Sequence, residues 1–246
     1  MKLKCAWMYH DIMDLYGDKG NMMTLRKRCE QRGIDFDLHT VGIGQDADLS
    51  EYDLVFIGGG ADREQESLLP DLLSRKDSIR KAIESGTFFL LICGGYQLFG
   101  QYYEAAGNRK MEGLGIYPYY TDTGEQGKRC IGDIIIEADL DGRNMKLAGF
   151  ENHGGQTKGV TKPLGKVLHG FGNSFDAGME GFYDGHILGT YLHGPLLPKN
   201  PELADFVIAK ALARINPGFQ LEDLQEIETP FAAEARQVLF DRYHIV

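Results

Sequence analysis

Two reactive side chains each follow an apolar run that is typical of a buried strand. Cys93 follows Phe88-Phe89-Leu90-Leu91-Ile92 and precedes two glycines, and His193 follows the apolar run at 187–192. A cysteine in a strand-to-helix turn lies at the sheet edge, where backbone N–H groups favour its thiolate and can stabilise an oxyanion. A histidine at another strand end can serve as its base. Spacing alone leaves a core cysteine and a structural histidine as alternatives to this nucleophilic pair.

Glycines mark a further strand end. The run Asp53-Leu54-Val55-Phe56-Ile57 continues directly into Gly58-Gly59-Gly60, and Cys93 continues into Gly94-Gly95. Glycine has no Cβ, so backbone and ligand can approach each other closely at these positions. Because ligands of open α/β sheets bind beyond the carboxyl ends of the strands, we expect both glycine segments near one site.

The elements that must position these residues alternate between strand and helix. Apolar runs predict strands at Leu3–Met8, Phe36–Val41, Asp53–Ile57 and Phe88–Ile92. One helical pattern ends near residue 32, and four others lie at about 64–85, 96–103, 201–214 and 230–243. Asn200 is the expected N-cap of the helix that opens with Pro201. This order predicts an α/β fold with a mostly parallel central sheet flanked by helices.

The middle third of the chain has a different character. Residues 113–192 contain many glycines and short alternating runs, which predict strands and hairpins. We expect one domain over 1–246, with a core at about 3–214 and a C-terminal helical extension at about 218–246. The apolar face of the last helix is expected to pack on that domain; it comprises Phe231, Ala235, Val238 and Leu239.

Composition limits the classes of function. The formal net charge of −10 over 246 residues predicts no nucleic-acid binding, which needs clustered Lys and Arg. No run approaches the roughly 18 apolar residues of a bilayer-crossing helix, so we expect no membrane span and a cytoplasmic protein. The four cysteines include no Cys-x-x-Cys pair, which predicts no zinc cluster and no metal centre.

Three segments carry a resemblance to a known family. Leu91-Ile92-Cys93-Gly94-Gly95-Tyr96-Gln97 resembles the nucleophile segment of class I glutamine amidotransferases, in the form typical of the cobyric acid synthase-like branch. The segments at 149–155 and 189–194 are similar to the Glu-x-His-x-Gly and Gly-Thr-Tyr-x-His-Gly elements of that branch. The resemblance implies the flavodoxin-like amidotransferase fold and hydrolysis of glutamine.

The N-terminal segment narrows the resemblance. Tyr16-Gly17-Asp18-Lys19-Gly20-Asn21 and the chain length are similar to stand-alone glutaminase subunits of the GatD type. That resemblance implies release of ammonia from L-glutamine and its transfer, within a heterodimer, to a Mur-ligase-like synthetase of the MurT type. The synthetase would amidate D-glutamate of lipid II in peptidoglycan synthesis. The sequence has no Gly-x-x-x-x-Gly-Lys-Ser/Thr motif, so we expect no cofactor in this chain and place ATP and Mg²⁺ on the partner.

The resemblance assigns Cys93 as the nucleophile that attacks the side-chain amide of glutamine and His193 as the proton shuttle. Many class I amidotransferases carry a glutamate two residues after the histidine, but this sequence has Pro195 there. His193 is therefore without an obvious orienting carboxylate. Two hypotheses follow: a partner protein supplies the acid, or the Cys-His pair suffices.

The resemblance also implies how the substrate is held. Backbone N–H groups of Gly94 and of the loop around Gly59 would form the oxyanion hole. Gln97 and Arg129 would bind glutamine, and a guanidinium suits its α-carboxylate because it can bind both oxygens at once. The alternative for Arg129 is a solvated surface arginine.

Glu151 and His153 belong to one of the resembling segments and admit two interpretations. They can line the substrate pocket, or they can order the glycine-rich loop around them. We expect the structural role for both.

Three other functions stay open at this point. A glutaminase subunit for another acceptor, such as a corrinoid, would carry the same residues, because acceptor choice lies on the partner. A stand-alone cysteine hydrolase of γ-glutamyl peptides would need no partner. A non-enzymatic binding module on the same fold is disfavoured, because Cys93, Gln97 and His193 are all intact.

Overall fold

The computed structural model describes residues 1–105, 107, 109–124 and 128–245. Fourteen strands lie in these residues: β1 (Lys2–Met8), β2 (Asp35–Val41), β3 (Leu54–Ile57), β4 (Phe88–Ile92), β5 (Tyr102–Ala105), β6 (Arg109–Glu112), β7 (Tyr120–Thr123), β8 (Cys130–Leu140), β9 (Arg143–His153), β10 (Gly155–Lys158), β11 (Gly165–His169), β12 (Met179–Glu180), β13 (Phe182–Tyr183) and β14 (Ile187–Thr190).

The same residues form seven α-helices: α1 (Lys19–Glu30), α2 (Asp62–Ser74), α3 (Lys76–Glu84), α4 (Gly94–Leu98), α5 (Leu196–Lys199), α6 (Pro201–Ile215) and α7 (Pro230–Arg242). Short 3-10 turns lie at Leu15–Gly17, Leu49–Glu51 and Leu221–Asp223. Within the described part of the chain, no helix combines the length and the apolar character that crossing a membrane requires.

The central sheet has six strands in the order β13-β14-β4-β3-β1-β2. Five of these strands are parallel: β1, β2, β3, β4 and β14. If these five are renumbered 1 to 5 along the chain and read from the β2 edge, their order is 2-1-3-4-5, which is that of a flavodoxin-like sheet. β13 pairs with β14 in the antiparallel direction at one edge. β3 and β4 are buried along their whole length, as their continuous apolar sequences predict. The predicted α/β fold with a mostly parallel sheet is confirmed.

Two four-stranded sheets come from the middle of the chain, in the orders β10-β7-β5-β6 and β12-β11-β8-β9. β8 and β9 have 11 residues each and form a long antiparallel hairpin. The strands and hairpins predicted for this region are therefore confirmed. β9 bridges to the segment after β14 through Phe150 and His193, so the hairpin reaches the carboxyl edge of the central sheet.

Two predicted helices have different bounds in the structure. The single helix expected at 64–85 is divided, because α2 ends at Ser74 and α3 begins at Lys76. The helix expected at 96–103 is the shorter α4, and β5 begins within its expected range. Gly100 lies between them, where a Cβ would be 2.6 Å from the carbonyl oxygen of Tyr119. The chain therefore leaves the helix into close backbone contact, which a larger residue would prevent.

Asn200 precedes α6 as predicted, but its side chain does not cap the helix. Its amide instead bonds the backbone N–H and C=O of Ala148 at 2.9 and 2.8 Å and the carbonyl of Leu196 at 2.8 Å. Ala148 lies on β9, so the side chain satisfies strand backbone groups and ties β9 to the start of α6. The N-cap prediction is wrong for the side chain because these buried backbone groups take it.

The last helix lies where it was predicted, but its apolar face is not buried. Phe231 is 83% exposed. Polar contacts attach α7 instead: Arg236 bonds both carboxylate oxygens of Glu202 at 2.5 Å, and the hydroxyl of Tyr243 donates to Asp133 at 2.8 Å. The prediction that this face packs on the domain is wrong, because ion pairs and hydrogen bonds hold the helix without burying it.

Candidate active site

Cys93 occupies a strained turn between β4 and α4. Its backbone has φ 50° and ψ −101°, in the left-handed half of the map that residues other than glycine rarely enter. Its N–H donates to the carbonyl of Thr190 at 2.8 Å, and the residue is 5% exposed. This turn has the geometry of the nucleophile elbow expected from the strand-to-helix pattern.

Two glycines let that turn pack against its neighbours. A Cβ at Gly94 would lie 2.9 Å from Nε2 of Gln65, and a Cβ at Gly95 would lie 2.7 Å from the carbonyl oxygen of Ile57. The Gly95 N–H donates to the carbonyl of Gly58 at 3.2 Å. The nucleophile turn is therefore fastened to the glycine loop that follows β3.

His193 follows β14, the strand next to β4, and lies beside Cys93 at the carboxyl ends of these strands. Its backbone N–H and C=O both bond Phe150 of β9, at 2.7 and 3.1 Å. A Cβ at Gly59 would lie 2.6 Å from Cε1 of His193 and 3.4 Å from Cβ of Cys93. The structure thus brings together the cysteine and the histidine that the sequence paired.

Electrostatics favours the protonated form of His193. Burial lowers the pKa of the imidazole, but the adjacent Cys93 sulfur and Asp18 carboxylate raise it, and the pKa stands at about 10. A protonated imidazole next to sulfur stabilises the thiolate. The site can therefore hold a thiolate–imidazolium pair, which is the reactive form of a cysteine nucleophile.

Asp18 is a buried carboxylate that the sequence analysis did not assign to the site. Its Oδ1 lies 3.4 Å from Nδ1 of His193, and both side chains are 0% exposed. Its Oδ2 accepts the N–H of Gly59 at 2.7 Å. His193 therefore has a carboxylate neighbour within its own chain, which differs from the expectation drawn from Pro195. An acid supplied by a partner stays a prediction.

The three glycines after β3 differ in their hydrogen-bond partners and in their access to the cavity. The Gly59 N–H is engaged by Asp18, and the Gly59 carbonyl accepts the N–H of Leu15 at 3.0 Å. Gly60 is the member of the triplet that lines the cavity in front of the nucleophile. Across a trans peptide, the Gly60 N–H points away from the engaged Gly59 carbonyl. The N–H expected as an oxyanion donor at Gly59 is thus engaged by Asp18, and Gly60 is the glycine of the triplet that borders the cavity.

The Tyr16–Asn21 segment packs on the residues that follow the histidine. A Cβ at Gly20 would lie 2.4 Å from Cγ of Pro195. Oδ1 of Asn21 accepts the N–H of Leu197 at 2.8 Å. These contacts explain how a carboxylate from the N-terminal segment reaches the imidazole.

A cavity of about 750 Å³ opens in front of the nucleophile, within the range of small-molecule sites. Three of the predicted site residues line the cavity: Cys93, Gln97 and Arg129. The other three lie behind the cavity wall, close to Cys93: His193, Gly59 and Gly94. Arg129 is exposed to the cavity. Within the part of the chain that the structure describes, no three His, Cys, Asp or Glu side chains are grouped to hold a metal ion.

A buried polar network holds Gln97. Its Nε2 donates to the hydroxyl of Tyr191 at 3.1 Å, and its Oε1 accepts from Nε2 of Gln65 at 3.2 Å. Burial raises the pKa of Tyr191 well above its ordinary value, so the phenol stays neutral. Among the described residues, Oε1 of Gln65 is buried without a hydrogen-bond donor, and the residue lines the cavity.

Glu151 has the structural role that the sequence predicted, whereas His153 also lines the cavity. The Glu151 carboxylate accepts the backbone N–H groups of Phe171 and Gly172 at 2.7 and 3.0 Å. His153 stacks on Tyr191 with ring centroids 3.7 Å apart. Glu151 therefore orders a loop, while His153 both supports the polar network and lines part of the cavity.

A family model matches the chain over the elements that build this site. Residues 4–201 match the CobB/CobQ-like glutamine amidotransferase domain. The chain belongs to this family. The matched range includes the nucleophile turn, the glycine loop and the histidine strand, so the resemblance that the motifs carried is confirmed.

The relatives of this amidotransferase include proteins of two kinds. It is 40% identical to the lipid II isoglutaminyl synthase (glutamine-hydrolyzing) subunit GatD of Staphylococcus aureus, over 96% of this chain and 95% of that protein. It is 39% identical to the subunit of the same name from Streptococcus pneumoniae, over 87% of this chain and 82% of that protein. A probable cobyric acid synthase of Methanococcus maripaludis is 27% identical, over 76% of this chain and 37% of that protein.

Three residues of the amidotransferase site were not predicted from the sequence: Asp18, Gln65 and Asn152. Asp18 and Asn152 lie inside segments that carried the resemblance, so a signal was present but gave no chemical role. Gln65 lies on α2 without any motif, and only its place soon after the glycine loop hints at the site.

Proposed function

We propose that this amidotransferase is the glutamine-hydrolysing subunit of a lipid II isoglutaminyl synthase. The observation that carries the proposal is the thiol of Cys93 on the wall of a ligand-sized cavity, with His193 and a carboxylate behind it. Similarity over nearly the whole chain to a subunit of such a synthase supports this reaction over others of the family.

In the first step, the thiolate of Cys93 attacks the side-chain carbonyl carbon of glutamine and forms a tetrahedral intermediate. Negative charge develops on the amide oxygen, and the N–H groups of Gly94 and Gly60 donate to it. Protonated His193 gives its proton to the amide nitrogen, the C–N bond breaks and ammonia leaves. The product is a γ-glutamyl thioester on the cysteine.

In the second step, water attacks the thioester carbonyl. His193, now neutral, accepts a proton from that water, and the C–S bond breaks to release glutamate and restore the thiolate. The Asp18 carboxylate beside Nδ1 stabilises the protonated ring each time it forms. One glutamine and one water thus give one glutamate and one ammonia.

Arg129 and Gln97 hold the substrate on the cavity wall. The guanidinium of Arg129 binds the α-carboxylate through two parallel N–H···O bonds. The amide of Gln97 is kept in place by its bonds to Tyr191 and Gln65, so it meets the ligand in a fixed orientation. These contacts select an amino acid with a free carboxylate.

The ammonia passes to a Mur-ligase-like synthetase of the MurT type, which forms a heterodimer with this chain and amidates D-glutamate of lipid II. ATP and Mg²⁺ bind to that partner, and the reaction takes place in the cytoplasm, where ATP is available. Two relatives that are themselves subunits of a synthase support the existence of such a partner.

Intact-mass spectrometry tests the nucleophile. After incubation with the diazoketone analogue of glutamine, we expect one covalent adduct on the wild-type chain and none on Cys93→Ala. Cys29→Ala is the matched control, because Cys29 is also a buried free thiol but lies on α1. It should keep the adduct. An adduct on Cys93→Ala that forms as fast as on wild type would contradict the assignment.

The same variant tests the transfer of ammonia. Co-purified with a Mur-ligase-like partner and supplied with ATP, Cys93→Ala should amidate lipid II from ammonium chloride but not from glutamine. Amidation from glutamine by this complex would mean that another residue releases the ammonia. Failure with ammonium chloride, alongside a wild-type complex that also fails, would reject lipid II as the acceptor while leaving the glutaminase in place.

A further inference from the structure

Asn152 links two sides of the cavity mouth. Its Oδ1 accepts from Nε of Arg129 at 3.0 Å, and its carbonyl oxygen accepts from Nη2 of Arg129 at 3.1 Å. Its Nδ2 donates to the hydroxyl oxygen of Tyr16 at 2.6 Å. All three residues line the cavity. One asparagine therefore holds a cation and an aromatic ring at once.

These bonds orient the guanidinium of Arg129. Two of its five N–H donors are directed to Asn152, which leaves three for a ligand. Its Nη1 lies next to Gly154, where a Cβ would be 3.3 Å away, so the glycine leaves room for the group. A guanidinium held along one edge presents its remaining N–H groups in a fixed plane, which is what bidentate carboxylate binding requires.

Tyr16 covers the imidazole of His193. The two rings meet edge to face with centroids 5.1 Å apart, and Tyr16 makes a similar contact with Phe150 at 6.0 Å. The backbone of Tyr16 is left-handed, with φ 57°, which an aromatic residue adopts only where its surroundings hold it. The hydrogen bond from Asn152 supplies part of that support.

We infer that Asn152 is a positioning residue, which aims Arg129 at the α-carboxylate of the substrate and holds Tyr16 over His193. The inference rests on the proposed function, because it names the residue that orders the carboxylate end of that same site. A ligand without a carboxylate gains nothing from the orientation of Arg129, and this difference supplies the test.

Two reagents that alkylate the same cysteine separate this role from a general structural one. The diazoketone analogue of glutamine carries the α-carboxylate, and iodoacetamide does not. Asn152→Ala removes the bond between Oδ1 and Nε of Arg129 and the bond to Tyr16, and it keeps the backbone carbonyl that accepts from Nη2. We expect the second-order rate constant for labelling Cys93 with the diazoketone to fall about tenfold, as loss of one charge-assisted bond predicts. The rate constant with iodoacetamide should not fall.

Asn144→Ala is the matched control, because Asn144 is an exposed asparagine at the far, hairpin end of the same strand β9. It should keep both rate constants. Tyr16→Phe removes the hydroxyl but keeps the ring and both bonds to Arg129, so the diazoketone rate constant should fall less than in Asn152→Ala, by about twofold.

Two outcomes overturn the inference while the proposed function stands. One is an Asn152→Ala variant that reacts with the diazoketone as fast as wild type. The other is an equal loss with both reagents, which would indicate a disordered site instead of a misdirected guanidinium. Failure of the proposed function looks different, because there the wild-type chain itself resists the diazoketone while iodoacetamide still labels Cys93.

Discussion

Two buried carboxylate–histidine pairs lie in the part of the chain that the structure describes, and they differ in their surroundings. Asp18 and His193 approach to 3.4 Å, and Glu151 and His153 approach to 3.5 Å. None of the four side chains is more than 2% exposed. Distance and burial are therefore nearly the same in both pairs, and neither property distinguishes the pair beside Cys93 from the other.

The histidines differ in what surrounds the rest of the ring. Nδ1 of His153 lies 2.7 Å from the carbonyl oxygen of Gly155, and its ring stacks on Tyr191. Among the described residues, neither ring nitrogen of His193 has a hydrogen-bond partner, and the sulfur of Cys93 lies beside it. His153 is fixed by its carbonyl and its stacking partner, whereas His193 faces a nucleophile with which it can exchange a proton.

The carboxylates differ in the same way. Glu151 accepts backbone N–H groups of a loop, at Phe171 and Gly172. Asp18 accepts the N–H of Gly59 and so connects the imidazole with the glycine loop that borders the nucleophile. The groups that each carboxylate bonds besides its histidine therefore distinguish the two pairs. Glu151 bonds loop N–H groups, which fits a role in ordering the backbone, and Asp18 bonds the glycine loop beside Cys93, which fits a role in proton transfer.

The largest expected effect is on kcat and comes from replacing the histidine of each pair in turn. His193→Gln removes the proton donor for the leaving ammonia, so we expect kcat for glutamine hydrolysis to fall about 10³-fold. His153→Gln should keep kcat within about tenfold, because an amide can still bond the Gly155 carbonyl. Initial rates at saturating glutamine measure both. Equal losses in the two variants would contradict the distinction.

The next effect comes from the charge on Asp18. Asp18→Asn keeps the size of the side chain but removes a charge that raises the pKa of His193, which stands at about 10. The pKa of the imidazole should therefore fall, and the alkaline limb of the kcat/KM profile should move to lower pH. We expect kcat/KM at neutral pH to fall about tenfold as the protonated ring loses its support.

Profiles of kcat/KM against pH check this prediction, and Glu151→Gln is the matched control. It should leave the alkaline limb where it lies in the wild type, because Glu151 is paired with the other histidine. An Asp18→Asn profile with an unmoved limb would mean that Asp18 only holds the glycine loop.

The smallest catalytic effect, and the clearest effect on stability, is expected at Glu151. Glu151→Gln leaves one acceptor oxygen for two loop N–H groups, so the free energy of unfolding should fall by about 1–3 kcal/mol. Glutamine hydrolysis per folded molecule should not change. Urea denaturation followed by circular dichroism measures the first quantity, and rates normalised to active-site labelling measure the second. A variant of wild-type stability would show that Glu151 does not order the loop.

The sequence predicted the parts of this molecule that depend on local pattern. Continuous apolar runs predicted β3 and β4, and the ends of these runs predicted the turn at Cys93. Such predictions succeed because strand burial and turn formation depend on residues that are adjacent in the sequence. Local pattern was insufficient for α7. Its apolar residues suggested packing, yet Phe231 is exposed, because the arrangement of Arg236 and Tyr243 with distant carboxylates decides where the helix lies.

The order of strands and helices was enough to predict the fold class, and short motifs at the ends of recognisable strands were enough to identify the family and to propose Cys93 and His193 as a pair. Three relations required the folded structure: Asp18 is the carboxylate beside His193, Gly60 and not Gly59 lines the cavity, and Asn152 joins Arg129 to Tyr16. These relations depend on how the parallel order of the central sheet and the β8–β9 hairpin bring distant segments to one edge. Hydrogen bonds between residues so far apart in the sequence produce no periodic pattern of apolar and polar residues. They are therefore visible only in the folded structure.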